Sequence, residues 1–309
     1  MLATRDAFGA QLVESAKENE NIIVLNADLA KATRLSKMQD AFPDRFFEMG
    51  IAECNMIGVA SGMAEYGYRV FMASFASFLT GKYDVIRVSL GYSCAPVVLI
   101  GTHAGLAIGK DGVTQMGLED ISLMRSIPNM AVVQPATPME AKLVTKYFAE
   151  KEDLDHPVYI RIGRQPVPDV LPDDYIFEFG KASVLREGGE VLMISSGCIL
   201  PEVLKAADII SETGITSSII NMHTIKPLDR NAIMAHSKAA KKVVTIEDHS
   251  IIGGLGSAVA EVMAECGVSA PLTRIGLNDC FPESGPPDEL WDKYGLTAEK
   301  IASRILGDK

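Results

Sequence analysis

The sequence predicts an α/β protein of two domains, each a mostly parallel sheet flanked by helices, and three observations carry that prediction. Short β-rich apolar runs alternate with longer stretches of helical periodicity, as expected of strand–helix–strand units whose sheets are covered on both faces. A length of 309 residues at 48% hydrophobic content is enough for two ordinary cores. Between Arg164 and Asp174 the composition shifts: Pro166, Pro168 and Pro172 break helix and ladder alike, and the alternation then restarts.

In the first half, Ile22–Leu25, Val70–Met72, Val97–Ile100, Met130–Val133 and Val158–Ile162 read as buried strands. Helices fill the gaps. The first spans about Asp6 to Lys17, with Phe8, Leu12, Val13 and Ala16 on one face; others lie near Cys54–Tyr66, Tyr83–Gly91, Leu118–Ser126 and Pro138–Ala149. In the second half, Glu190–Ser195, Ser217–Asn221, Lys242–Ile246 and Leu272–Ile275 read as strands, with helices near Ile199–Thr213, Asp229–Ala235, Leu255–Cys266 and Thr297–Leu306. The expected division is residues 1–165, a linker over 166–180, and 181–309. No internal repeat, heptad or low-complexity tract interrupts this pattern, which argues against a solenoid or coiled coil.

Charge and cysteine usage exclude several classes. With 29 basic against 40 acidic residues the net charge is −11, which repels a phosphate backbone, so nucleic-acid binding is not expected and any anion site must be local. Five scattered cysteines without a Cys-x-x-Cys pair do not suggest a disulfide framework and fit a reducing cytoplasm. The N-terminal residues lack the basic and apolar regions of a signal peptide, and no segment is apolar for long enough to span a bilayer; a soluble chain is expected.

Candidate chemistry concentrates in the first half. Glu53 opens a helix rich in small residues, where Gly58 and Gly62 at i, i+4 would let another surface press closely. A carboxylate at a helix N-terminus is stabilised by the dipole, which alone makes Glu53 an ordinary helix-start residue. Phe75 and Phe78 directly follow a strand; such a pair is either core or able to sandwich a flat heterocycle. The glycine-bearing loop Thr102–Gln115 also follows a strand, in the crevice where parallel sheets usually bind ligands. Arg161 and Arg164 close the last strand of this half. A guanidinium at such a rim suits capture of phosphate, although Arg161 also reads as a structural ion-pair partner. Asp28 ends the first strand and is by position a turn residue.

The run Phe46 to Met56 resembles the pyrimidine-binding domain of the transketolase family, in which the glutamate corresponding to Glu53 contacts the aminopyrimidine of thiamine diphosphate. A carboxyl group hydrogen-bonded to that ring promotes the imino tautomer through which the coenzyme is deprotonated. The resemblance implies further that Phe75 and Phe78 hold the ring, that Asp28 lies near the thiazolium side, that His103 and Asp111 contact sugar hydroxyls and the developing dienolate, and that Arg164 binds phosphate. Departures cluster around the substrate. Gln115 replaces a second histidine and can hydrogen-bond but not shuttle protons; Lys110 replaces a glutamate, as a solvated lysine or a charge at the substrate mouth; Ala32 replaces a hydroxyl residue. A third aromatic of the family falls on Gly81, with Tyr83 two residues later. An acceptor or donor outside the standard sugar phosphates is expected, either phosphate or sulfonate in its anion.

In the second half, the glycines from Gly253 to Gly256 fit a dinucleotide fingerprint poorly, because Val259 occupies a position reserved for glycine or alanine. His223, His236 and His249 read as satisfied or exposed histidines, and no cluster has metal-site spacing. The Gly-Asp-Gly and Asn motif that holds diphosphate and magnesium in thiamine enzymes is missing from the sequence. The resemblance therefore implies the second subunit of a split transketolase, whose partner, an N-terminal subunit with the diphosphate-binding domain, brings the magnesium ligands in an α2β2 assembly. The β subunit of a 2-oxoacid dehydrogenase, a deoxyxylulose-phosphate synthase and a catalytically silent subunit are the alternatives. The loop from Thr102 to Gly112 fits transketolase better than the first, and Glu53, His103 and Asp111 count against the last.

Overall fold

A computed structural model describes residues 1–307. Its larger sheet has seven strands in the spatial order Thr224–Lys226, Ala131–Val133, Val158–Arg161, Val97–Thr102, Arg69–Phe75, Ile22–Asn26 and Phe46–Glu48. All pair in parallel except the first, which runs antiparallel to Ala131–Val133. Ile22–Asn26, Val97–Thr102 and Val158–Arg161 are buried along their whole length, which is why they read as unbroken apolar runs. The helices Thr4–Glu18 and Pro138–Glu150 pack on one another over one face of this sheet. On the other face, Glu53–Glu65 buries Met56, Ile57, Ala60 and Ala64. Its opposite side stays bare: Cys54, Asn55, Gly58 and Gly62 are exposed, and a Cβ added at either glycine would meet nothing within 4 Å.

The second sheet has five strands in the order Leu272–Leu277, Lys242–Ser250, Val191–Ser195, Ser217–Asn221 and Ser183–Arg186, of which only the last is antiparallel. Leu200–Glu212, Leu255–Glu265 and Ala298–Leu306 cover it with alternately buried apolar residues. Among the described residues no helix is long and apolar enough to cross a membrane.

Several elements differ from the local pattern. The strand expected to stop at Ile246 continues to Ser250, because Glu247, Asp248 and His249, polar in sequence, are buried and satisfied by contacts from elsewhere. The segment expected as one helix over Tyr83–Gly91 is a short α-helical turn, Tyr83–Ile86, followed by a wider π-type turn, Arg87–Tyr92. Thr224–Lys226 leaves the second half to complete the first sheet, and the helix Pro287–Lys293 was not signalled by periodicity. The proline-rich segment is likewise not a bare linker, since Pro166–Val167 pairs with Leu2–Ala3.

The two halves share polar pins as well as apolar packing. Glu140 accepts hydrogen bonds from Ala136 N at 2.6 Å, from Asn221 Nδ2 at 2.8 Å and from the Tyr175 hydroxyl, joining helix, connecting segment and second sheet. Its burial pushes the carboxyl pKa up to about 7.

Candidate functional site

Parallel strands put their carboxyl ends along one edge, and every candidate residue of the first half follows such an end. Read along the sheet, the residues that follow are Glu53, Asp28, Phe75, His103 and Arg164. Neighbouring strands lie about 4.8 Å apart, so this order is also a spatial one.

Glu53 is the first residue of its helix, only 8% exposed, after an Ala52 N-cap that offers no side-chain cap. Among the described residues its carboxylate receives no hydrogen bond and forms no ion pair. Inside this chain the helix dipole is what serves it. Asp28 sits in a left-handed turn at φ 57° and is exposed. The turn is fixed by a residue for which no role was expected: Glu48 accepts from Asp28 N at 2.7 Å, Gly50 N at 2.9 Å and Asn26 Nδ2. An acid closing an edge strand just before a glycine was the available signal.

The aromatic pair differs from the slot that its spacing suggested. Phe75 ends its strand and Phe78 lies in the short helix Ala76–Thr80, their rings stacked on one another with centroids 5.1 Å apart. A ring inserted between them would need about 7 Å, two aromatic contacts of roughly 3.5 Å each. Phe75 also stacks on His103 at 3.9 Å, so Phe78, Phe75 and His103 form one column in which half-buried Phe78 is the outer member. A heterocycle can lie against that outer face but not between the phenylalanines.

His103 has φ 57° and is 3% exposed. Arg5 Nη1 lies 2.8 Å from its Nε2, and an arginine can only donate, so Nε2 is the acceptor and Nδ1 carries the proton. Nδ1 then donates to Thr102 Oγ1 at 2.8 Å, and that hydroxyl donates to Ser74 O at 3.2 Å. Burial, followed by the charges of Arg5, Arg164 and Arg34, lowers the imidazole pKa to about 3. In this structure His103 is a neutral acceptor with both nitrogens engaged.

Arg5 was not among the expected site residues. Its Nη1 also donates to Ala32 O at 3.0 Å, while its Nε is buried without an acceptor. Burial and the neighbouring charge of Arg34 lower its pKa, and Arg34 itself pairs with Asp6. Nothing in the local sequence marked Arg5, because it reaches His103 across 98 positions. Together Arg5, Arg34 and Arg164 place a cluster of positive charge around His103 on an acidic chain.

Arg164 and Asp111, expected to bind separate parts of a substrate, pair with each other at 2.9 Å, and Arg164 Nη1 also donates to Ile108 O at 3.3 Å. Lys110 is exposed beside Asp111, and half-buried Gln115 ends the turn Val113–Gln115. Arg161 takes the structural role: fully buried, it donates to both oxygens of Asp120, at 2.9 and 3.1 Å, and Tyr159 donates to the same carboxylate at 2.7 Å. Among the described residues no group of three or more potential ligand side chains could hold a metal ion.

Comparison with known proteins bears on this edge. The profile described as "Transketolase, pyrimidine binding domain" matches residues 1–169, and "Transketolase, C-terminal domain" matches 180–301. A solved structure described as a split gene transketolase, an inactive β4 tetramer, superposes with a TM-score of 0.91 at 41% identity, covering 100% of this chain and 98% of that one. The 6-deoxy-6-sulfo-D-fructose transketolase subunit SqwH of Clostridium sp. is 39% identical over 96% of this chain and 91% of its own length. One of the subunits of an apulose-4-phosphate transketolase, from Phocaeicola vulgatus, is 33% identical over 99% of this chain and 97% of its own length.

Proposed function

This chain belongs to the transketolase family as a subunit with its pyrimidine-binding and C-terminal domains, and we propose that it forms one half of a thiamine diphosphate-dependent ketol transferase active only with a second chain. That partner would hold the diphosphate and magnesium. Thiamine diphosphate, when bound, supplies the carbanion chemistry by which ketol transfer breaks and remakes a carbon–carbon bond.

The residues of this chain fit the aminopyrimidine end. Glu53 would share a proton with the ring nitrogen, which gives its carboxyl group the partner it lacks in this chain. Phe78 would present its outer face to the ring, backed by Phe75, and Asp28 would stand beside the thiazolium side. On the substrate side, Arg5 and Arg164 would take the anionic end of a ketose. Asp111 would exchange part of its pairing with Arg164 for sugar hydroxyls, Gln115 would hydrogen-bond without moving protons, and Lys110 would raise the charge at the mouth. His103 would accept hydrogen bonds and hold Arg5 in place.

An anionic sugar, sulfonate or phosphate, is the substrate class supported by this arginine cluster, in line with relatives named for a sulfo-fructose and for apulose 4-phosphate. The bare face around Gly58 and Gly62 would receive the neighbouring chain in an α2β2 assembly. Free cysteines throughout the described residues favour a reducing compartment such as the cytoplasm.

The observation that carries this reading is that Glu53, a largely buried residue whose carboxylate has no partner among the described residues, opens a helix on the same sheet edge as the arginines around His103. The test is reconstitution. The chain alone should neither bind thiamine diphosphate tightly nor turn over an anionic ketose, and a second chain with the Gly-Asp-Gly and Asn motif should restore both. Tight coenzyme binding by the isolated chain would defeat the proposal.

A further inference from the structure

We propose that Asp248 is a positioning residue for the substrate loop, and that the C-terminal domain serves as the mould in which the loop is set. What the loop does rests on the functional reading above; how it is held does not. Gly105 N donates to Gly117 O at 2.8 Å, closing the loop on itself. Asp248 Oδ1 then accepts Leu106 N at 3.0 Å, and Arg161 Nη2 bridges Gly117 O and Asp248 O at 2.9 Å each. Two residues further along the same strand, Ser250 N donates to Leu118 O at 2.9 Å.

The sterics agree with the hydrogen bonds. Gly105 has φ 79°, and a Cβ there would lie 2.2 Å from Asp248 Oδ2; Gly112 has φ 81°, and a Cβ would lie 2.4 Å from Ser284 Oγ. The loop glycines are thus places where the C-terminal domain presses against the loop backbone. Beneath them, Leu106, Ile108 and Met116 are buried in one cluster with Ile199, Leu277 and Leu290 of the C-terminal domain.

His103 lies three residues before Leu106, in a left-handed conformation that a free loop would leave. Asp248 fixes the backbone just beyond it, and so sets the direction of His103, the arginine it holds, and the turn that carries Asp111. Asp248 touches neither substrate nor coenzyme in this scheme.

In the reconstituted complex, Asp248→Ala should raise the KM for an anionic ketose about 10- to 100-fold, the scale of a misplaced substrate contact, with a smaller change in kcat and unaltered thiamine diphosphate affinity. Asp248→Asn keeps the Oδ1 acceptor and should stay within about threefold of wild type. Amide exchange on the isolated chain is the second readout: Asp248→Ala should speed exchange selectively over residues 103–118. That measurement needs neither partner nor coenzyme, so it decides the mould even where ketol transfer fails to appear. Unchanged exchange and KM in Asp248→Ala, or equal damage from Asp248→Asn, would overturn the proposal, as would faster exchange spread across the whole C-terminal domain. Should Asp248→Ala not fold, Gly112→Ala, which strains the loop backbone at φ 81° where it meets Ser284, must give the same KM signature for the proposal to stand.

Discussion

The two ends of the candidate edge are built differently. Around His103 most polar groups are engaged within the chain: both ring nitrogens are bonded, Arg164 is paired with Asp111, and the loop is pinned from below by the C-terminal domain, while Arg5 Nε is buried without an acceptor. Around Glu53 little is supplied. The carboxylate has no partner among the described residues, Phe78 is half-buried as the outer member of its column, and the helix that Glu53 opens carries two glycines facing open space. A region whose groups mostly bond one another is largely completed within one chain, whereas an acid without an internal donor and a bare small-residue face leave room for contacts from something else. On the proposed reading, the contrast would separate a substrate region from a half-site for a coenzyme and a second subunit.

The sharpest way to break this contrast is Glu53→Ala. In the mixed complex kcat should fall by about 10³-fold or more, as expected on losing a positioned acid. The urea midpoint of the isolated chain should not drop, because no internal partner is lost. Substantial residual turnover, or clear destabilisation, would place Glu53 with the satisfied side instead.

Arg161→Met is the opposite case. Removing one member of a buried pair strands Asp120, and the stability loss should be roughly 3–5 kcal/mol by urea denaturation. A loss under about 1 kcal/mol would mean that water reaches this junction and relieves the carboxylate. Arg5→Ala should act on recognition: KM for anionic ketoses should rise about 10- to 100-fold while neutral ketoses are little affected. Equal effects on both classes would show that Arg5 serves only to hold His103.

The smallest expected effect is on pH dependence. His103, His223 and His249 are held near about 3, 4 and 4, chiefly by burial, so the unfolded chain binds protons below pH 6.5 that the folded chain refuses. Their contribution is full above 6.5 and is lost as pH falls towards those folded values. Glu140 and Glu247, raised by burial to about 7, act in the reverse sense: their contribution is full below 4.5 and fades as pH rises through 7. The two sets oppose each other between pH 4.5 and 6.5, so the urea midpoint should decline only gently there and steeply below pH 4.5. A steep loss already at pH 6 would show that the glutamates are not protonated in the fold.

Much of the fold was legible because parallel strands buried on both faces are written as apolar runs of their own length, as in Ile22–Asn26 and Val97–Thr102. The strand through Glu247, Asp248 and His249 was not, because its polar residues are buried by contacts far away in sequence. The same reason hid Arg5 from the site, while Glu53, Phe75 and His103 stood out through the motifs around them. Spacing alone also suggested a slot between Phe75 and Phe78, where ring orientation gives a stacked column.

By itself, then, the sequence determined the alternation of elements, the composition break near Pro166 and the residue types carried by each strand end. These depend on local periodicity and turn chemistry, which a window of a dozen residues contains. Only the tertiary structure decided that Thr224–Lys226 completes the first sheet, that Arg5 fixes the tautomer of His103, and that Asp248 sets the substrate loop. Each of those is a pairing across about 90 to 140 positions, settled by which surfaces can be buried together with their polar groups satisfied, and no local pattern records that.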